Sequence, residues 1–225
     1  AFGQYAGANA MRLSGELLYN YNWTIDAISA WFGAITYESQ FNPAQIEGNY
    51  TVPQTNTGVG YIQWTPSSQL ISYCEEWGVN WKLSSSQLRK WELERTTNDS
   101  DIKQWFLIDR YYQLYKSNFP NGKEPPATFD QFTKATFNDY TPEEMSAQIV
   151  EFYTRPASWQ NTGNWTRNAE ATKTWYNRLT GLNPPMPPGP GSKPDTDNSI
   201  LTFNANLLTK PNNLLRNFMT GRRGF

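Results

Sequence analysis

The chain has 225 residues, 38% apolar and only 17% charged, with a formal net charge of −1, enough for one substantial domain and a small appendage. It has no histidine and a single cysteine, which excludes Ser-His-Asp and Cys-His triads, His-ligated zinc and an intrachain disulfide. The near-neutral charge argues against a nucleic-acid partner, so any catalysis falls to carboxylates, Tyr, Lys or Ser. The 10 Trp, 13 Tyr and 12 Phe suit either a ring-rich core or a surface that stacks on sugars or bases. No apolar run reaches the ~18 residues of a membrane span. No signal peptide is evident, and the chain begins at Ala1 rather than Met, as a processed or excised chain would.

Residues 5–21 read as a first helix, with Met11, Leu13, Leu17, Leu18 and Tyr21 loosely periodic. Thr24 is placed to cap a second, in which Ile25, Ile28, Phe32 and Ile35 form one apolar stripe. At ~100° per residue Glu38 falls within about 20° of Trp31, at the edge of the buried face. A half-dry carboxyl there would have a raised pKa and keep its proton near neutrality, as a general acid requires; the alternative is a solvated Glu at a fraying helix end. Asn42-Pro43 stops this helix. Residues 44–66 hold Gly48, Pro53, Gly58 and Gly60 among Thr, Asn and Tyr, the pattern of a small β-hairpin or three-stranded flap beside a cleft.

Thr65-Pro66 then reads as N-cap and first turn of a helix whose inner face is Leu70, Tyr73, Cys74 and Trp77 and whose stop is Gly78. Ser84 with Gln87, Thr128 with Gln131 and Thr141 with Glu144 have capping-box spacing, and Asp101 is a simpler cap for the aromatic segment 102–115. Leu88 and Trp91, then Ile102, Trp105 and Phe106, then Met145, Ile149 and Phe152 supply inward faces. A last helix near 165–180 carries Thr172, Trp175, Tyr176 and Leu179, with Gly181 as its stop. About eight helices and one small β element make the class mainly α (α+β).

Residues 183–197 are too rich in Pro and Gly for helix or interior strand and read as a semi-rigid linker. Residues 198–225 contain Lys210, Arg216, Arg222 and Arg223 and no acid, alongside Leu201, Phe203, Leu207, Leu208, Leu214, Leu215, Phe218 and Met219. Such a basic, apolar arm suits contact with membrane, wall polymer or a neighbouring subunit, or packing back on its own domain. The expected layout is a catalytic domain over 1–182, the linker, and the arm.

The pairing of Glu38-Ser39-x-x-Asn42-Pro43 on a helix end with Gly58-x-Gly60-x-x-Gln63-Trp64 resembles the lysozyme-like superfamily. The resemblance is closest to the phage tail lysozyme family, muramidase domains at the tail tips of small podophages of Gram-positive bacteria. Ala27-Ile28 with Gly33, Glu47-Gly48-Asn49, Gln63 to Pro66 and Tyr153-Thr154-Arg155-Pro156 stand in the family's order over about residues 17–182. The resemblance implies a lysozyme-like fold, and hydrolysis of the β-1,4 bond between N-acetylmuramic acid and N-acetylglucosamine by a virion piercing the wall. Glu38 would be the general acid. Glu47 has two readings: a second carboxylate holding water about 6.5–9.5 Å away, with an inverting outcome, or a loop acid capping its own turn. Gln63 and Tyr61 would line the cleft floor. Tyr37 and Trp64 are stacking candidates, Trp64 being equally placed for the core, and Arg155 with Tyr153 would lock a helix end to the flap.

No metal or cofactor is implied. The expected partners are bacterial peptidoglycan and other phage tail proteins, and the expected location is the virion tail tip. Some relatives add a zinc endopeptidase with His ligands, which a chain without His does not carry. The rival readings are a lytic transglycosylase, in which the lone Glu is both base and acid, and a structural tail-tip module with a decayed site.

Overall fold

A computed structural model describes residues 4–48, 50–96, 109–154 and 164–182. They form eight α-helices: α1 Gln4–Gly15, α2 Ile25–Glu38, α3 Ser68–Glu76, α4 Ser84–Thr96, α5 Asp109–Asn118, α6 Phe129–Lys134, α7 Pro142–Gln148 and α8 Asn164–Leu182. Single π-helical turns, Glu16–Asn20 and Ile149–Thr154, continue α1 and α7. The mainly helical class expected from the pattern is the class observed. The linker, the arm, Asp101, Ile102, Trp105, Phe106, Arg155 and Pro156 lie outside the described residues.

α2 is the axis of the domain. Thr24 caps it, its Oγ1 accepting from Ala27 N at 3.1 Å, and every residue from Ala27 to Thr36 is buried. A helix so encircled must be covered on all sides, and α8, α7 and α6 all pack on it. Trp31 lies at the middle of a ring cluster, 5.5 Å from Trp23, 5.4 Å from Trp91, 5.2 Å from Phe129 and 4.7 Å from Tyr153. Each such ring removes roughly 200 Å² from water, about 5 kcal/mol before ordering entropy is subtracted. On the other flank Phe32 packs against Phe41 and Trp175, and Trp175 Nε1 donates to Thr36 Oγ1 at 2.9 Å.

Gly33 sets how closely α2 and α8 approach. A Cβ there would stand 2.6 Å from the Asn168 carbonyl oxygen and 3.2 Å from Thr172 N, so only glycine fits beneath the α8 backbone.

The expected β-hairpin flap is not formed as strands among the described residues. Residues 44–66 are a folded loop with two isolated antiparallel bridges, Ile46 with Val59 and Val59 with Trp64. Gly60 at φ +81° and Gln63 at φ +54° leave the β region, so no ladder can extend. Thr65-Pro66, a cis peptide, does not cap α3: the Thr65 hydroxyl donates to Gln63 O at 3.0 Å, and the helix begins at Ser68. Gly78, at φ +63°, does follow its end. Thr141 and Glu144 form a complete capping box. Thr128 caps α6, but the Gln131 side chain accepts from Ala127 N rather than closing the box. Gln87 caps nothing and has another task in the loop.

Candidate active site

Glu38 is the last residue of α2. Beyond it the backbone N–H groups of Ser39 and Gln40 both donate to Ile35 O, at 3.1 and 3.0 Å. Gln40 at φ +52° and Phe41 at φ +63° then reverse the chain. Two left-handed non-glycine residues in succession are strained, and the reversal is held because Phe41 is driven into the core between Phe32 and Trp175. Asn9 Nδ2 also donates to the Phe41 carbonyl at 3.1 Å. The reversal brings the following loop back past the half-buried Glu38 carboxyl. Burial is the largest influence on that carboxyl and pushes its pKa above the usual carboxylate range; the Arg167 guanidinium on α8 opposes the rise and the Glu47 charge adds to it.

The loop is closed on itself by its backbone. Glu47 N donates to Gly58 O at 2.9 Å and Gly60 N to Gln45 O at 2.9 Å, while Glu47 Oε2 accepts from Gly58 N at 2.8 Å. Glu47 is otherwise exposed and lies near enough for its charge to act on Glu38. Gln63 is half-buried; its Nε2 donates to Gly60 O at 2.8 Å, and a Cβ at Gly58 would stand 3.0 Å from its Oε1. Both glycines of the Gly58-x-Gly60 pattern are therefore required for contact: a Cβ at Gly60 would meet Gln87 Oε1 at 2.8 Å.

Gln87 is the residue that fastens the loop to α4. Fully buried, it accepts from Tyr61 N at 2.8 Å and donates to Pro43 O at 2.7 Å and Trp81 O at 2.8 Å. Both ends of the segment after Glu38 are thus tied to one amide. Capping-box spacing after Ser84 conceals this, since a buried Gln looks the same in sequence as a capping one.

Tyr61, expected on the cleft floor, is a core residue, and of the two readings of Trp64 the core one holds. Tyr61 is 0% exposed, with its hydroxyl 2.6 Å from Ser84 Oγ and burial pushing its pKa up to about 12. Trp64 is 4% exposed. Tyr61 and Trp64 both stack on Trp91, with centroids 5.9 Å away in each case, and neither offers a face to a sugar. Tyr37, in contrast, is 44% exposed, and Tyr50, which no sequence pattern marks, is 55% exposed in the Glu47 loop. Tyr153, expected to lock a helix end to the flap, lies against Trp31 and donates from its hydroxyl to Glu94.

Three of the remaining buried carboxyls are committed elsewhere. Glu94 is paired with Lys90 at 2.8 Å, Glu144 closes its capping box and Glu16 is bound by Asn20. Glu151, on the second π-turn, is raised to about 8 by burial and accepts from Asn118 at 3.3 Å. A cavity of about 460 Å³ between residues 119–123 and 137–141 contains none of the candidate residues. Among the described residues no group of His, Cys, Asp and Glu is placed to hold a metal ion.

A sequence profile described as phage tail lysozyme matches residues 8–179. Morphogenesis protein 1 of Bacillus phage B103 is 27% identical over 183 residues, covering 79% of this chain and 42% of that protein. The chain spans about two fifths of the length of that relative. With most of its length matched, it belongs to the phage tail lysozyme family.

Proposed function

We propose, with membership of that family as the premise, that the chain is a peptidoglycan muramidase of a phage tail tip, cleaving the β-1,4 bond from N-acetylmuramic acid to N-acetylglucosamine during entry. The observation that carries the reading is the carboxyl of Glu38, half-buried at the end of α2 and biased by burial toward its protonated form. A carboxyl so held can give a proton to the glycosidic oxygen as the C–O bond breaks, which is general acid catalysis. Glu47 then takes a proton from the water that attacks the anomeric carbon from the opposite face, and configuration inverts. Gln63 Nε2 is occupied by Gly60 O, so its Oε1 is the atom left to accept from an N-acetyl N–H. The exposed ring of Tyr50 supplies a stacking face for a neighbouring sugar, while the Tyr37 ring is covered by the Arg167 guanidinium, 4.7 Å from its centroid. The arm at 198–225 is proposed to engage other tail proteins, the wall or the membrane surface.

One observation favours a second reading. Glu47 Oε2 already accepts from Gly58 N, as a carboxylate that merely closes its own loop would. In that case Glu38 acts alone as acid and then base, in the manner of a lytic transglycosylase. Glu47→Gln separates the two: a loss of turnover of about 10²-fold or more with an unchanged melting curve supports the water-holding role. Near-normal rates with 1,6-anhydro products overturn it.

A further inference from the structure

The acid is not alone at the end of α2. Arg167 is exposed in the first turns of α8, and its guanidinium carbon lies 4.7 Å from the centroid of the Tyr37 ring. Its backbone position is fixed by packing, because the neighbouring Asn168 carbonyl sits directly over Gly33, one helical turn before Tyr37. No carboxylate or carbonyl among the described residues accepts from this guanidinium, and stacking on a ring face leaves its N–H edges open. The charged groups that act on Glu38 are Arg167 from α8 and Glu47 from the loop, with opposite sign.

Resting on the acid role given to Glu38 above, we propose that Arg167 is a positioning residue for the proton transfer: clamped over Tyr37, its permanent charge stabilises the carboxylate that Glu38 becomes. Burial by itself makes a carboxyl hold its proton and also makes it reluctant to release it. A fixed cation beside the site lowers the cost of the negative charge that develops as the proton moves to the leaving oxygen. Arg suits this task because it stays protonated at every working pH and its planar head is oriented by the ring beneath it. Substrate atoms are not required to touch it.

The test is the pH–rate profile of the full chain on purified peptidoglycan for wild type, Arg167→Met and Arg167→Lys, with melting curves alongside. Loss of the cation removes an influence that favours the ionised form of Glu38, so the alkaline limb of Arg167→Met is expected to move to higher pH, with a several-fold lower plateau. Arg167→Lys is expected to bring the limb most of the way back. A uniform fall at every pH with the limb unmoved, or a Lys variant that behaves like Met, would overturn the inference. Activity persisting in Glu38→Gln would overturn the acid assignment itself, whereas an inactive Glu38→Gln beside an unmoved limb in Arg167→Met would overturn only the role of Arg167.

Discussion

Among single residues, Glu38 is legible in the sequence because a helical stripe fixes the angle of each position: the phase that buries Ile28, Phe32 and Ile35 puts the seventh residue after Trp31 at the margin, where the carboxyl is found half-buried. Tyr61 is not legible. Its place on the cleft floor is what the resemblance implies, and the left-handed backbone of Gly60 and Gln63 departs from the expected strand and turns the ring into the core; Trp64 turns inward too, the core being one of its two sequence readings. Arg167 and Tyr50 give no signal, because an exposed Arg on a helix and a Tyr in a loop are ordinary in sequence. Glu151 carries a prediction of its own. Its native pKa is raised to about 8 by burial, so the folded state holds a proton that the unfolded state releases above the ordinary carboxylate value. Stability is then greatest at low pH and falls as pH rises toward 8, since the unfolded state binds fewer protons in that window. Glu151→Gln, neutral at all pH, should remove most of this fall, a difference on the order of 3 kcal/mol between pH 5 and pH 8 in denaturant titrations. Parallel pH dependence in wild type and variant would refute it.

Helix ends and helix contacts divide in the same manner. The caps at Thr24, Thr128 and Thr141 are readable because a cap is a local contract between a hydroxyl and an amide three residues on. Thr65-Pro66 fails as a cap because its hydroxyl is engaged within the loop, and Gln87 fails because its partners, Pro43 and Tyr61, are distant in sequence. Gly33 is a motif glycine whose reason appears only in three dimensions. Gly33→Ala would gain about 1 kcal/mol in helix propensity, but its Cβ would press within 2.6 Å of the Asn168 carbonyl, a backbone atom that cannot swing away. Overpacking of this kind costs typically about 1–3 kcal/mol, and the collision is with two turns of backbone, so the net is a loss. A lower melting temperature for Gly33→Ala is expected; an unchanged or higher one would show that α2 and α8 can separate freely. The same substitution should lower activity, because α8 also carries Arg167.

For the molecule as a whole, the absence of histidine narrows the chemistry to carboxylates, Tyr, Lys or Ser on composition alone, and the family match over residues 8–179 agrees with the motif order along the chain. The described domain uses α2 as a buried axis, with the Glu38 carboxyl at its end, a tied loop on one side and α8 on the other. The most direct test of this arrangement is digestion of purified peptidoglycan in ¹⁸O-labelled water by wild type and by Glu38→Gln, followed by mass spectrometry of the fragments. Wild type is expected to release muropeptides with a reducing N-acetylmuramic acid end carrying one heavy oxygen, and Glu38→Gln, folded as judged by its melting curve, to release essentially none. Unlabelled 1,6-anhydro ends, reducing N-acetylglucosamine ends, or equal release by the Gln variant would contradict it.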